Sequence, residues 1–336
     1  MPDSRLSKNS NALVALSGGV DSSFALSLAI GGYRNVRAGY VDTDGRGIPA
    51  SAEEVADFLG VQLVRLDASE RFKTDVIDWS QDMLLKGLTP NPCVRCNERI
   101  KLRMLYEILE PSEVLVTGHY SRKQGDLVRR GSDNSKDQSY FLSMVDSRII
   151  SRCVFPLGYL TKEQVRSEAV AGGLPFRKDE SMDLCFELLV DREKPGKILN
   201  TFGEVIGTHQ GIESYTIGQR KGFGAFGRRM YVVAIDPVSG TVTVGDREDL
   251  LSTACTVGSM NWFRKPSGSC IEAKVQTRHR RRAATADLEI LNDSIQVKFK
   301  EPEEAVAPGQ VCAVYLDTAV IGGGIITAAE RLERKL

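Results

Sequence analysis

The hydrophobic pattern changes character twice along the chain. Up to about residue 193, short apolar runs alternate with segments whose apolar residues recur at helical spacing. ALVAL (Ala12–Leu16), VRAGYVD (Val36–Asp42), VQLVRLD (Val61–Asp67) and EVLVTGH (Glu113–His119) read as strands. Asp21 to Ile30 and Ala50–Leu59 read as helices, the second ended by Gly60, with a third running through Lys86 and a fourth starting near Glu98. This alternation predicts an α/β domain: a parallel sheet with helices on both faces, and ligands at the carboxyl ends of the strands. From Lys194 the texture turns glycine-rich and polar, as in a small connecting domain. After about Leu251, the runs CIEAKVQT, AATADLEI, IQVKF, VCAVYL and AVIGGGII predict a small antiparallel β-barrel. The expected organisation is therefore 1–193, 194–250 and 251–336.

Composition narrows this picture without redirecting it. A chain of 336 residues has room for two or three domains, and 42% apolar content supports ordinary buried cores. The formal net charge is zero, so a nucleic-acid partner would have to be met by local patches. Arg278-His279-Arg280-Arg281-Arg282 is the densest of these, although such a run is more often a solvated face. The seven cysteines are an odd number and lack the spacing of a disulfide framework. The start, MPDSRLSKNS, is polar, and no apolar run reaches membrane-spanning length. A soluble cytoplasmic protein with no membrane association is expected, in a compartment where thiols can be functional.

SGGVDSS (Ser17–Ser23) lies between the first strand and the first helix. Gly18 and Gly19 let backbone N–H groups face an anion, Ser17, Ser22 and Ser23 add hydroxyl donors, and the helix N-terminus adds partial positive charge. The loop lacks the G-K-[ST] of a Walker A motif and the G-x-G-x-x-G of dinucleotide folds. It resembles the loop of the PP-loop ATP pyrophosphatases, which implies ATP with Mg2+ and transfer of AMP to an oxygen.

TPNPCVRCNERIK (residues 89–101) adds two thiols, Cys93 and Cys96. By itself a C-x-x-C leaves open a redox pair, half a metal site, or sulfur-handling groups. Arg95 and a helix beginning after Asn97 are expected to favour the Cys96 thiolate. TGHY (Thr117–Tyr120), KDQSYFL (Lys136–Leu142), FPLG (Phe155–Gly158), DLCF (Asp183–Phe186), YTIGQRKG (Tyr215–Gly222), TRHR (Thr277–Arg280), APGQ (Ala307–Gln310) and IGGGII (Ile321–Ile326) follow in order. The ordered set resembles the tRNA-specific 2-thiouridylase family, which replaces the C2 oxygen of the wobble uridine with sulfur. The chemistry is coherent with these parts: adenylation makes a poor leaving group a good one, and a sulfur nucleophile then displaces AMP.

The resemblance implies that Ala15, Leu16, Ser17, Gly18, Gly19, Val20, Asp21, Ser22, Val41 and Gly118 bind ATP. It implies that Cys185 carries a persulfide and that Cys96 assists sulfur release, ending in a disulfide with it. It places Asn91, Pro92 and Cys93 at the target base, and His119, Lys136, Asp137, Gln138, Arg278, His279 and Gln310 against tRNA. The implied partners are tRNA, rather than DNA, and a sulfur donor: a desulfurase, a relay protein or sulfide.

Bland readings stand beside these. His119 could close a strand end and Gln310 could finish a turn. Tyr140 and Phe141 read as core, and Cys153, Cys255, Cys270 and Cys312 as small buried side chains.

The chain departs from the family at Cys93, where many members carry aspartate. Cys93, Cys96 and Cys185 together suit a 4Fe–4S cluster with one open iron. A persulfide relay with Cys93 as an extra thiol is the second reading, and zinc is a third. The stretch between Cys185 and GEVIG (Gly203–Gly207) is also short for the family, which implies a more open site without tRNA. Two rivals remain at this stage: another PP-loop ligase acting on a small carbonyl or a different tRNA base, and a non-catalytic tRNA-binding protein.

Overall fold

A computed structural model describes residues 10–177, 186, 194–223 and 228–333. Its first sheet is parallel throughout, in the order β3-β2-β1-β4-β7, with β1 Asn11–Ala15, β2 Asn35–Asp42, β3 Leu63–Asp67, β4 Glu113–Val116 and β7 Cys153–Val154. The chain leaves β1 toward β2 on one side and returns on the other as β4. The switch point therefore lies between the ends of β1 and β4, where such sheets bind ligands.

Local signals set the helix limits. Helix Val20–Gly32 starts at Gly19, which brings no side-chain cap, so its first N–H groups stay available to a ligand. Helix Ala50–Leu59 stops at Gly60 in the left-handed region, φ +64°. Helix Lys162–Ala171 opens on a capping box between Thr161 and Gln164.

The helix carrying the C-x-x-C corrects the sequence reading. It begins at Pro92, not near Glu98, and runs to Glu107 with a π-type turn over Asn97–Lys101. Asn91 caps it by accepting the Val94 N–H, and Pro92 takes the first position, where a missing N–H costs nothing. The positive end of the helix thus lies at Cys93. Cys96 sits a full turn in.

Two further strands, β5 (Ser121–Gln124) and β6 (Leu127–Arg130), form a hairpin that the apolar pattern did not announce. The central part is a four-stranded sheet, β10-β11-β8-β9, with β8 Gly196–Leu199, β9 Val205–His209, β10 Tyr231–Asp236 and β11 Thr241–Gly245. The last part is an antiparallel barrel of six strands: β12 Leu251–Trp262, β13 Cys270–Gln276, β14 Ala284–Ile290, β15 Ile295–Glu304, β16 Val311–Leu316 and β17 Ala319–Arg331. Pairing of β12 with β17 closes it. The sequence reading lacked β12, whose Ser, Thr and Gly residues dilute its apolar alternation.

The barrel is built into the α/β domain. Leu13, Leu115, Leu102 and Ile150 share one buried cluster with Val311, Ala313, Tyr315 and Val320 of the barrel, and β17 pairs with β6 at Ala319 and Arg129. Among the four cysteines read as buried, Cys153, Cys255 and Cys312 are, whereas Cys270 is exposed at the start of β13. Tyr140 is fully buried, but Phe141 is only partly so and borders a cavity. Among the described residues, no helix is long and apolar enough to cross a membrane.

Candidate active site

A cavity of about 430 Å³ opens at the switch point. Ala15, Leu16, Ser17, Asp21 and Ser22 line it from the loop after β1, and Val41 from the end of β2. Gly118 lines it from the end of β4, so close to the first helix that a Cβ there would lie 3.0 Å from the Asp21 carbonyl carbon. Gly18 has φ +78°, and a Cβ on it would come within 2.4 Å of Ser51 Oγ. Both glycines are thus required by the close approach of loop to helix and strand.

The serines divide their work. Ser17 N–H donates to Ser22 Oγ (3.1 Å), and Ser22 Oγ donates to the Gly19 carbonyl (3.0 Å), which braces the loop internally. Ser23, expected as a phosphate donor, is buried and donates back to the Gly19 carbonyl at 2.9 Å. Asp21 is fixed from two sides: Lys162 Nζ donates to both its oxygens (2.8 and 2.9 Å), and Tyr120 Oη donates at 2.7 Å. The cavity pairs an uncapped helix start and tight glycines with lysines 101 and 162, a surrounding that fits a nucleotide polyphosphate.

Cys93 is exposed and lines the same cavity, followed at four-residue steps by Asn97, Lys101 and Leu105. Cys96, only 5% exposed, lies in an apolar cluster with Ala68, Phe72, Val76 and Ile100. Phe186 packs against that cluster, its ring edge-on to Phe72 with centroids 5.3 Å apart. Cys185 lies outside the described residues. The expected support of Cys96 by Arg95 is not what the geometry shows. Arg95 Nε donates to the Asp75 carbonyl, its guanidinium lies over Trp79 (5.0 Å), and Nη1 meets Glu98. Among the described residues no three metal-binding side chains converge.

The other candidates separate into cavity wall and framework. His119, Lys136, Gln138 and His279 line the cavity. His119 Nδ1 shares a hydrogen bond with Thr117 Oγ1 (2.8 Å). Burial, with Lys101 nearby, pushes its pKa down to about 4, so the ring is neutral at pH 7. His279 is carried in from the barrel, stacked on Phe141 with centroids 4.3 Å apart; burial and then Arg280 lower its pKa. Asp137 is framework: it accepts from Gly131 N–H, Ser139 N–H and Arg130 Nη1. Arg278 donates to the Ile217 carbonyl of the central part. Gln310 Nε2 donates to the Thr89 and Pro90 carbonyls (3.3 and 3.1 Å), and its Oε1 accepts from Asn91 Nδ2 (3.4 Å). Pro92 is buried and Val20 starts the first helix in the core.

Lys101, Lys162, Tyr40 and Phe141 also border the cavity and were absent from the sequence-derived set. A signal for Lys101 existed, because it continues the four-residue stripe from Cys93 through Asn97. None marked Lys162, which reaches Asp21 across 141 positions of chain.

A braced glycine loop, an uncapped helix and a thiol in one switch-point cavity define a PP-loop α/β enzyme extended by two β modules. Three family models match in series: the tRNA methyl transferase HUP domain over residues 10–188, the tRNA methyl transferase PRC-barrel domain over 189–246, and the aminomethyltransferase beta-barrel domain over 252–326. The chain is 38% identical to the tRNA-specific 2-thiouridylase MnmA of Sorangium cellulosum, covering 98% of this chain and 95% of that protein. It is 37% identical to its namesake in Treponema denticola, covering 95% and 98%. The chain belongs to the tRNA-specific 2-thiouridylase family. Among solved structures, the U34-tRNA thiolase NcsA from Methanococcus maripaludis with its 4Fe–4S cluster matches at 16% identity and a TM-score of 0.35, over 54% of this chain and 63% of that one. That likeness carries no argument about chemistry here.

Proposed function

We propose that the protein is an ATP-dependent tRNA-uridine 2-sulfurtransferase acting on the wobble uridine in the cytoplasm. The observation that carries this reading is the single cavity in which the glycine loop, Cys93 and the barrel's His279 meet. ATP, as its Mg2+ complex, sits with its phosphates toward Ser17–Ser22 and adenine toward Val41. The uridine O2 attacks the α-phosphorus and pyrophosphate leaves; sulfur then attacks C2, and AMP departs with the oxygen. Lys101 and Lys162 offset the charge that builds on the phosphates, and neutral His119 offers a hydrogen bond to the base without adding charge. The wobble base must be turned out of its stack to reach this cavity, at a cost on the order of a few kcal/mol.

For sulfur delivery, we propose Cys93, Cys96 and Cys185 as ligands of a 4Fe–4S cluster, whose open iron would present sulfide. Placement of Cys93 and Cys96 at i and i+3 on one helix supports this, since such residues are neighbours on one face. The apolar surroundings of Cys96 favour a second reading, in which Cys185 carries a persulfide and Cys96 closes a disulfide with it. Sulfide itself would supply the cluster route, whereas a desulfurase or a relay protein, each handing over sulfur already at the persulfide level by thiol exchange, would supply the persulfide route.

The test combines nucleoside analysis of unmodified tRNA, treated with enzyme, ATP and either sulfide or a persulfide-bearing donor, with iron and acid-labile sulfide per anaerobically purified chain. 2-Thiouridine and pyrophosphate formed only with tRNA present support the function; AMP formation without RNA refutes it. Iron lost in Cys93→Ala, Cys96→Ala and Cys185→Ala supports the cluster. No iron after reconstitution leaves the persulfide route.

A further inference from the structure

Helix 92–107 is a partition between two spaces. Cys93, Asn97, Lys101 and Leu105 face the nucleotide cavity, whereas Arg95, Arg99 and Arg103 line a second cavity, also of about 430 Å³, between this helix and the barrel. Arg95, Arg99 and Arg103 recur at four-residue steps along the helix, and all three line the same cleft. At one end the Arg95 guanidinium lies over the Trp79 ring at 5.0 Å, a flat surface of the kind on which unpaired bases stack. Two carboxylates share the wall and both are engaged. Glu98 contacts Arg95 (3.4 Å) and Arg99 (2.8 Å), and Asp146 contacts Arg148 (2.6 Å). Among the described residues, Arg103 Nε is buried without a hydrogen-bond partner, and its charge is felt by Asp146. In a chain with zero net charge this is a local cationic cleft.

We propose that this second cavity holds the RNA strand adjoining the target nucleotide, with Arg99 and Arg103 on its phosphates and the Arg95–Trp79 pair beneath a neighbouring base. The proposal rests on the thiolation reading above. The lining supports it: Asn91 and Val94 border the second cavity and Cys93 the first, so both spaces adjoin the first turn of this helix, and a strand delivering one base to the thiol has the arginine cleft on the helix's other side.

The experiment is fluorescence anisotropy with a labelled anticodon stem-loop RNA across a salt series. It compares wild type, Arg99→Ala/Arg103→Ala and Arg99→Lys/Arg103→Lys, with ATP binding as the check on folding. The alanine pair is expected to raise Kd about tenfold and to flatten the log–log salt slope by about 1.4, two phosphate contacts at about 0.7 each. The lysine pair should keep the slope. Alanine variants that match a binding wild type in both affinity and slope overturn the proposal alone. So do variants that bind RNA normally but no longer accept sulfur from a protein donor, because the cleft is then a protein dock. A wild type that binds ATP but not the RNA sinks the thiolation reading and the proposal with it.

Discussion

Gln310 of the barrel holds Asn91 of the α/β domain: its amide oxygen accepts from Asn91 Nδ2 while its amide nitrogen donates to the carbonyls of Thr89 and Pro90. Asn91 in turn caps the helix on which Cys93 and Cys96 ride. The placement of the thiols is therefore set in part from the far end of the chain.

Gln310→Ala should act on the site more than on the fold. Removing hydrogen bonds of this kind costs on the order of 1 kcal/mol each. A modest drop in unfolding midpoint is expected, with thiolation kcat reduced about tenfold by loss of loop position. Steady-state thiolation alongside a urea titration checks this; an unchanged kcat removes the buttress role.

Lys162 and Asp21 form a second testable pair. Lys162→Met should raise the KM for ATP about tenfold, both by removing a cation from the cavity and by releasing Asp21 from two hydrogen bonds. A double-mutant cycle with Asp21→Asn should show coupling of about 0.5–3 kcal/mol in kcat/KM. Additive effects would mean that the two act separately.

Gly18→Ala should abolish measurable ATP affinity while leaving most of the protein folded. The left-handed backbone at Gly18 and the 2.4 Å approach to Ser51 Oγ both oppose a Cβ. Ser51→Gly should fail to rescue it, because Ala52 N lies 2.8 Å from the same point. Isothermal titration with ATP separates these outcomes.

His119 predicts a pH dependence of stability. Its folded pKa of about 4 lies below the usual 6.5 of an unfolded histidine, so between these values the unfolded chain binds the extra proton. Stability contributed by the neutral ring is complete above pH 6.5 and falls as pH drops toward 4, by about 2 kcal/mol on reaching pH 5. Urea midpoints at pH 7 and 5 should fall further in wild type than in His119→Gln. Equal losses would locate the acid sensitivity elsewhere.

Much of the architecture was legible because its signals are local. Apolar runs marked β1 to β4, and Gly60 ended its helix where the sequence placed the end. Pro92 behind Asn91 was a start signal of the same local kind, overlooked because the next apolar period begins later. What stayed illegible depends on distance. Strand β12 needs its partners β15 and β17 before its mixed residues make sense. The cavity wall contains Lys162 and Phe141 only because the chain folds back over the first helix, and Arg278 turns from an exposed basic run into a strut toward Ile217 for the same reason. Ser23 looked like a phosphate ligand and proved to be part of a helix turn, because spacing alone does not say which way a hydroxyl points.

The buried cluster shared by Leu13, Leu115, Val311 and Tyr315 has a bearing on how the molecule is made. A chain emerging from the ribosome offers its α/β part more than a hundred residues before the barrel strands that complete that part's core. Domains usually fold as units in order of synthesis. Here the first one has to wait, holding an open apolar face that only the last strands can cover. A nascent chain arrested before β16 should accordingly be bound by chaperones or cut by proteases within its α/β half, and chains released past β17 should not.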